Sequence, residues 1–409
     1  MLPSSVPGLA QPGAPPSAFR WILLIVFLDM AGLGLLSPVI PTIVSTFRTD
    51  ALTVGLLATM YSSAQFVSNP LLGAWSDRFG RRPILLTAFF GSALTYLAFG
   101  WAPALWVLFA GRLIDGLTGA NIGTSQAYIA DITTPEQRSR AMGLAGAALG
   151  VGFVVGPLVG WVMARQGFPP SSQVFLAAGL ALFSMALAWW RLPESLPSGR
   201  RVTTPICWAD LNPFAPLRVA LGRPALRALI VAAFLANFAM AGLRSHFAFF
   251  AGAHLGFALS QIYGVMGFLG IMMVISQGGL VRRAVLVWGD VGTLMVGLGL
   301  SAVGFFGLSI AVGTAAVYVM VAVLAVGVGL SLPTTASLVS QRAGLDEQGA
   351  MLGAGQAAAA LGQVIGPVWA GLMFDRVGPG WPFSTGAMLV VCALLVVAFS
   401  RHASPRRHR

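Results

Sequence analysis

Apolar residues run through the chain in stretches of about 20, broken by short polar turns at nearly even spacing. Each stretch is long enough to cross a ~30 Å hydrocarbon core as a helix. The runs fall at roughly 20–45, 52–73, 83–101, 104–129, 140–164 and 172–190, then at 225–251, 258–281, 292–310, 315–340, 350–374 and 381–400. A helix of a soluble bundle keeps a polar stripe, whereas these segments are apolar nearly all round. The pattern predicts an all-α membrane protein with twelve transmembrane helices in two six-helix bundles. It also divides the chain into a tail (1–19), a first bundle (20–191), a Pro-rich basic linker (192–224), a second bundle (225–400) and a basic tail (401–409).

Composition agrees. Of the 409 residues 57% are hydrophobic and 9% charged, against about 25% charged in a soluble domain. The formal charge of +12 comes from 24 basic residues, all of them Arg. About 19 of these lie in alternate loops and the two tails, with clusters at Arg78, Arg81 and Arg82; at Arg138 and Arg140; from Arg191 to Arg227; at Arg282 and Arg283; and from Arg401 to Arg409. The opposite loops hold Arg48, Arg165 and Arg376. This is the positive-inside distribution. It puts both termini and the linker in the cytoplasm and makes the charge a matter of orientation, not of nucleic-acid binding. Cys207 and Cys392 form no disulfide framework or metal-ligand spacing. Residues 1–19 lack the basic start of a signal peptide and read as a disordered tail. No nucleophile–base pair, nucleotide-binding loop or cofactor signature appears, so the chain reads as neither an enzyme nor an ATP-driven pump. It is expected to be a monomer that handles a small molecule and protons within the bilayer.

The two sets of six repeat each other. Gly152, Gly156 and Pro157 of span 5 recur as Gly362, Gly366 and Pro367 of span 11, an offset of 210. Phe79-Gly80 falls on Trp288-Gly289 at 209, and Asp29, Gly34 and Ser37 fall on Asn237, Gly242 and Ser245 at 208. Parallel halves of this kind place a substrate site between them near the bilayer midplane.

Several residues carry candidate chemistry. Asp29 lies mid-span, where an ionised carboxylate costs at least ~2.5 kcal/mol, so it should face a cavity. Arg112 in span 4 is its natural partner, and Asp115, one turn on, competes for the same guanidinium. Two carboxylates sharing one cation can exchange protons; the alternative is a static ion network locking span 1 to span 4. Arg244 in span 7 either snorkels to the interface or lines the cavity and attracts an anionic substrate. His246 should face elsewhere, at the interface, and Asp290 reads as a loop charge. Gln65, Asn69, Asn121, Gln126, Asn237, Thr334, Thr335, Gln356 and Gln363 sketch a polar lining among Phe, Met and Ala, which suits an amphipathic ligand.

The string from Gly73 to Pro83, GAWSDRFGRRP, sets Asp77 among Arg78, Arg81 and Arg82 beside the turn glycine Gly80. It resembles the signature loop of the major facilitator superfamily. With FLDMAGLGLLSPVIP (27–41), GRLIDGLTGA (111–120), AYIADITTPEQRSR (127–140) and GVGFVVGPLVG (150–160), the chain is similar to the drug–proton antiporter branch, above all the tetracycline-exporter class. The resemblance covers all twelve spans. It implies alternating access, a gating role for the 73–83 loop, proton transfer at Arg112, and an antiporter motif at Gly152, Gly156, Pro157 and Gly160, whose usual Gly-Gly ending is Gly160-Trp161 here. The tetracycline exporters' aspartate in span 3, histidine in span 8 and aspartate in span 9 fall at Thr95, Met273 and about Ser301. What is implied is therefore proton-coupled efflux of a drug or antibiotic across the bacterial inner membrane, without tetracycline as the specific substrate. Alternatives are export of an endogenous anionic metabolite such as a siderophore, a nutrient importer, and a non-transporting receptor.

Overall fold

The computed structural model describes residues 16–48, 50–119, 121–203, 212, 214–344 and 347–403. The outer parts of both tails and Cys207 of the linker lie outside the described residues. The regular elements among the described residues are all helical and form twelve spans, labelled α1–α12 here. α1 is Pro16–Val44, α2 Ala51–Phe79 and α3 Arg81–Gly100. α4 is broken into Leu105–Thr118 and Asn121–Ile132, and α5 is Pro135–Arg165 and α6 Pro170–Arg191. A short helix, Phe214–Gly222, precedes α7 (Pro224–Ala253). α8 and α9 form one apolar run, Leu259–Ser309, kinked at Gly289. α10 is Thr314–Arg342, α11 Gln348–Arg376 and α12 Trp381–Ala403.

Spans 8 and 9 were expected to be separated by a loop at 282–291. Instead α8 continues through a π-helical turn, Ser276–Leu280, as far as Trp288. Only Gly289, with φ 68°, leaves the helix. Its repeat mate Gly80, with φ 104°, makes the same one-residue turn between α2 and α3. Positive φ is costly for a residue with a Cβ, which explains glycine at both. Asp290 follows the kink and accepts a hydrogen bond from Gln341 (3.1 Å).

Within each half, small residues let two helices cross at backbone contact. A Cβ on Gly152 or Gly156 of α5 would strike the α1 backbone at Phe27 and Ala31. A Cβ on Gly362 or Gly366 of α11 would strike α7 at Phe234 and Phe238. The repeat read in the sequence is thus a repeat in packing.

The halves meet along two seams, α2 with α11 and α5 with α8, and both are tight only at the end away from the 73–83 loop. In the first, Asp375 of α11 accepts from the backbone N–H groups of Ala51 (3.0 Å) and Leu52 (2.8 Å), capping the start of α2. Thr59 donates to the Val364 carbonyl (2.7 Å). In the second, Gly160 lies against the Tyr263 ring, whose hydroxyl donates to the Leu35 carbonyl of α1 (2.6 Å). At the loop end, a Cβ on Gly73, Gly146, Gly278 or Gly353 of the same four helices would meet nothing within 4 Å. The molecule is closed at one end and open at the other.

Candidate functional site

The 73–83 loop is a charged clasp. Arg81, itself buried, donates to Asp131 of α4 (Nε to Oδ2, 3.0 Å) and to Ser76 (2.6 Å), and pairs with Asp77 (2.6 Å). Glu194, just past α6, accepts from the backbone N–H groups of Arg81 (2.8 Å) and Arg82 (3.2 Å). Arg82 donates to the Trp189 carbonyl and stacks on that ring. The Val202 N–H reaches the Asp77 carbonyl (3.1 Å), so the start of the linker is strapped onto this loop. Asp131 and Glu194 were not singled out in the sequence. Each stands in a stretch that periodicity reads as a helix end or a linker, and only the fold brings them to residue 81.

Within the first half, the acidic cluster is arranged differently from the expectation. Arg112 was expected to pair with Asp29, but its nearest carboxylate is Asp115, at 3.6 Å, with Ser92 donating to the other Asp115 oxygen (3.0 Å). The i,i+3 spacing keeps that pair on one face of α4. Asp29 is held instead by Asn121, whose amide donates to both carboxylate oxygens (3.0 and 3.1 Å). The break in α4 between Thr118 and Asn121 puts that amide beside α1. Asn121 therefore binds Asp29 and does not line either central cavity described next. The Arg112 guanidinium lies over the Tyr61 and Phe99 rings (5.4 and 5.2 Å), and its Nε has no hydrogen-bond partner among the described residues.

Two cavities lie near the middle of the molecule, and the smaller of them reaches Arg112 of this cluster. The larger, about 470 Å³, lies in the second half and is lined by Asn237, Arg244, Gln277, Gln356, Gln363 and Thr335 among Met240, Met273, Leu298 and Phe305. The smaller, about 170 Å³, lies between the halves, with Tyr61 and Arg112 on one side and Arg244 and Gln363 on the other. Arg244 lines both, so it faces the cavity and does not snorkel outward. Gln65 is used elsewhere, donating to Tyr61 (3.0 Å) and to the Gly119 carbonyl (3.1 Å), while Asn69 is exposed and lines neither cavity. Thr334 turns back onto the Leu330 carbonyl. Gln277 went unnoticed because it sits in the π turn, where 3.6-residue periodicity fails; such turns are common at functional sites.

His246 was expected at the interface. It is fully buried in the seam, its Nε2 donating to the Ala51 carbonyl (3.0 Å) and its Nδ1 facing Ser245 Oγ (2.7 Å). Two residues from Arg244 is about 200° around a helix, which turns His246 from the cavity to the opposing half. Of the positions where the tetracycline exporters differ, Met273 and Ser301 lie in the larger cavity's wall, while Thr95 is buried and donates to the Gly111 carbonyl (2.9 Å).

Comparison with known proteins agrees with this architecture. The sequence signature of the Major Facilitator Superfamily matches residues 22–367 and again 293–409. The tetracycline resistance protein, class C, of Escherichia coli is 31% identical over 94% of this chain and 98% of its own length. Multidrug resistance protein 2 of Bacillus subtilis (strain 168) is 26% identical over 92% of the chain and 93% of its own. Among solved structures, the human organic anion transporter TETRAN superposes with a TM-score of 0.71 over 94% of this chain and all of that one, at 24% identity, which speaks to the fold alone. The twelve spans, the paired halves and the full-length match together make the chain a transporter of the major facilitator superfamily, not an enzyme.

Proposed function

We propose that the protein exports a small amphipathic molecule, of the drug or antibiotic class, across the bacterial inner membrane in exchange for protons. The observation that carries this reading is the Asp29–Asn121 and Asp115–Arg112 cluster, buried in the first half with its guanidinium exposed to the cavity between the halves. Protonation of these carboxylates favours one arrangement of the halves and substrate in the cavity favours the other. With the loop end in the cytoplasm, as the Arg distribution supports, the structure corresponds to the cytoplasm-open state. The clasp at Asp77 and Arg81 then serves as the element whose ion pairs change as the halves rock. Gly152, Gly156, Pro157 and Gly160 serve as the hinge surface of α5. One proton crossing ~100 mV gains about 2.3 kcal/mol, and one pH unit adds about 1.4. Together they sustain roughly a 400-fold gradient of a neutral solute, at tenfold per ~1.4 kcal/mol, which is ample for efflux.

The test is a resistance and accumulation screen in an efflux-deleted host, followed by transport of the hits into inverted vesicles under an imposed pH gradient. Accumulation that follows the gradient and collapses with an uncoupler is expected. Hits that accumulate equally with and without the gradient would refute proton coupling.

A further inference from the structure

The buried carboxylates Asp29 and Asp115 line neither central cavity, whereas two arginines do. Neither central cavity is lined by an Asp or Glu, yet Arg244 lines both and Arg112 lines the smaller one. Arg112 is partly neutralised by Asp115, though at 3.6 Å the contact is too long for a hydrogen bond. Arg244 has no hydrogen bond or ion pair with any described residue. A guanidinium within a membrane span is expensive, and in such a place an ionisable group marks a ligand path unless a partner accounts for it. Five N–H donors in a planar fork suit one ligand chemistry above others, a carboxylate bound through both oxygens. Gln363, which also lines both cavities, and Gln356 add neutral amide donors nearby. Beyond them the wall is Met240, Met273, Leu298 and Phe305, flexible and apolar. A cationic amphiphile would meet a positive wall and no counter-charge.

From this we infer that the cavity selects amphipathic monocarboxylates, the carboxylate seated at Arg244 and the apolar body lying along the methionine and phenylalanine wall of the second half. The inference rests on the reading of the protein as a small-molecule transporter but does not depend on its proton coupling, because it concerns binding.

It is tested on the purified full chain in lipid nanodiscs, at fixed neutral pH and ionic strength and with no gradient. The probes share one fluorophore: dansyl-aminocaproate (anion), its primary amide (neutral) and dansylcadaverine (cation). Wild type should bind the carboxylate at least about tenfold more tightly than the amide, with the cation weakest; tenfold corresponds to about 1.4 kcal/mol. Arg244→Gln should erase the carboxylate's advantage and leave the amide within about twofold of its wild-type affinity. Arg244→Lys should retain part of the advantage, since it keeps the charge and loses the fork. Equal binding of the three probes by wild type, no binding of any of them, or an advantage that survives in Arg244→Gln would overturn the proposal. Should Arg244→Gln fail to fold, the wild-type ranking and the Lys variant decide. The same probes in proteoliposomes separate this idea from the transport reading. Charge-ranked binding without movement would defeat transport alone, and movement of the neutral probe without charge ranking would defeat the carboxylate site alone.

Discussion

At the position where α1 carries Asp29, α7 carries Asn237, whose amide only turns back to the Ala233 carbonyl (2.9 Å). Where α4 carries Arg112 and Asp115, the matching stretch of α10, residues 321–326, is apolar throughout. Where the first half turns on Gly80 beside Asp77, Arg81 and Asp131, the second turns on Gly289 beside Asp290, which among the described residues accepts from Gln341. The helix crossings are the same in both halves, glycine on backbone, while the charges are not. Two copies of one scaffold have thus diverged in what they place in the membrane. The first holds the buried carboxylates, and the second holds the larger cavity and an unbalanced guanidinium. A single cation or anion in the membrane costs several kcal/mol, so this asymmetry is a substantial energetic commitment. In the account proposed here, proton handling and substrate binding reside in different halves and communicate through the seams.

The two turns should respond differently to substitution. Arg81→Ala leaves Asp131 without its cation; removing one partner of a buried pair costs about 3–5 kcal/mol, and Asp131 is 22% exposed, so the low end applies. Thermal stability of the purified variant should fall clearly, and turnover in vesicles should fall at least about tenfold. Asp290→Asn, at the matching turn, should change neither measurably, and Asp77→Asn should slow turnover while leaving binding affinity intact. Equal losses at Arg81 and Asp290 would mean the halves share the clasp's function.

A smaller effect is expected where the second half grips the first. Asp375→Asn keeps one acceptor for the α2 N-terminus and loses its charge. Hydrogen bonds to charged groups contribute about 1.5–3 kcal/mol, so about 1 kcal/mol should be lost, shifting the closed seam roughly fivefold toward opening. Distance measurements between spin labels flanking the seam would show a larger open fraction; an unchanged distribution would remove Asp375 from the latch.

The smallest effect belongs to the exposed pair of Arg223, at the end of the linker, and Glu347, just before α11 (2.5 Å). The hydrogen bond from Arg223, and then its charge, hold the Glu347 carboxyl below its ordinary value of 4.5. Because the folded-state pKa is depressed, the pair's stabilisation is present above the unfolded value and disappears as pH falls through the lower folded one. Glu347→Gln should therefore leave thermal stability almost unchanged at neutral pH. Any small deficit should vanish in high salt and in acid. A large deficit at neutral pH would show that this surface pair anchors the short helix before α7.

The fold was legible because membrane helices announce themselves by length and apolarity, and the internal repeat fixed how twelve of them divide. The ends of α8 and α9 were not, since a π turn and a one-glycine kink leave no polar gap between spans. The partners within the site were harder. Asp29 and Arg112 stand out as intramembrane charges, but that Asp29 binds Asn121 depends on a break in α4 that local sequence does not specify. The orientation of Arg244 and His246, two residues apart and facing a cavity and a seam, follows from where the other half sits. Glu194 and Asp375 act through backbone N–H groups of distant helices, and an acid capping another helix's first turn leaves no spacing pattern to find.

The most direct test of the division between the halves compares two modes of transport by Asp29→Asn in proteoliposomes. Exchange of labelled for unlabelled substrate across the membrane needs the cavity and the rocking of the halves but no net proton movement. Uphill accumulation needs the proton step as well. Exchange is expected to persist near the wild-type rate while accumulation driven by a pH gradient disappears. Uphill accumulation at the wild-type level, still sensitive to an uncoupler, would contradict that division.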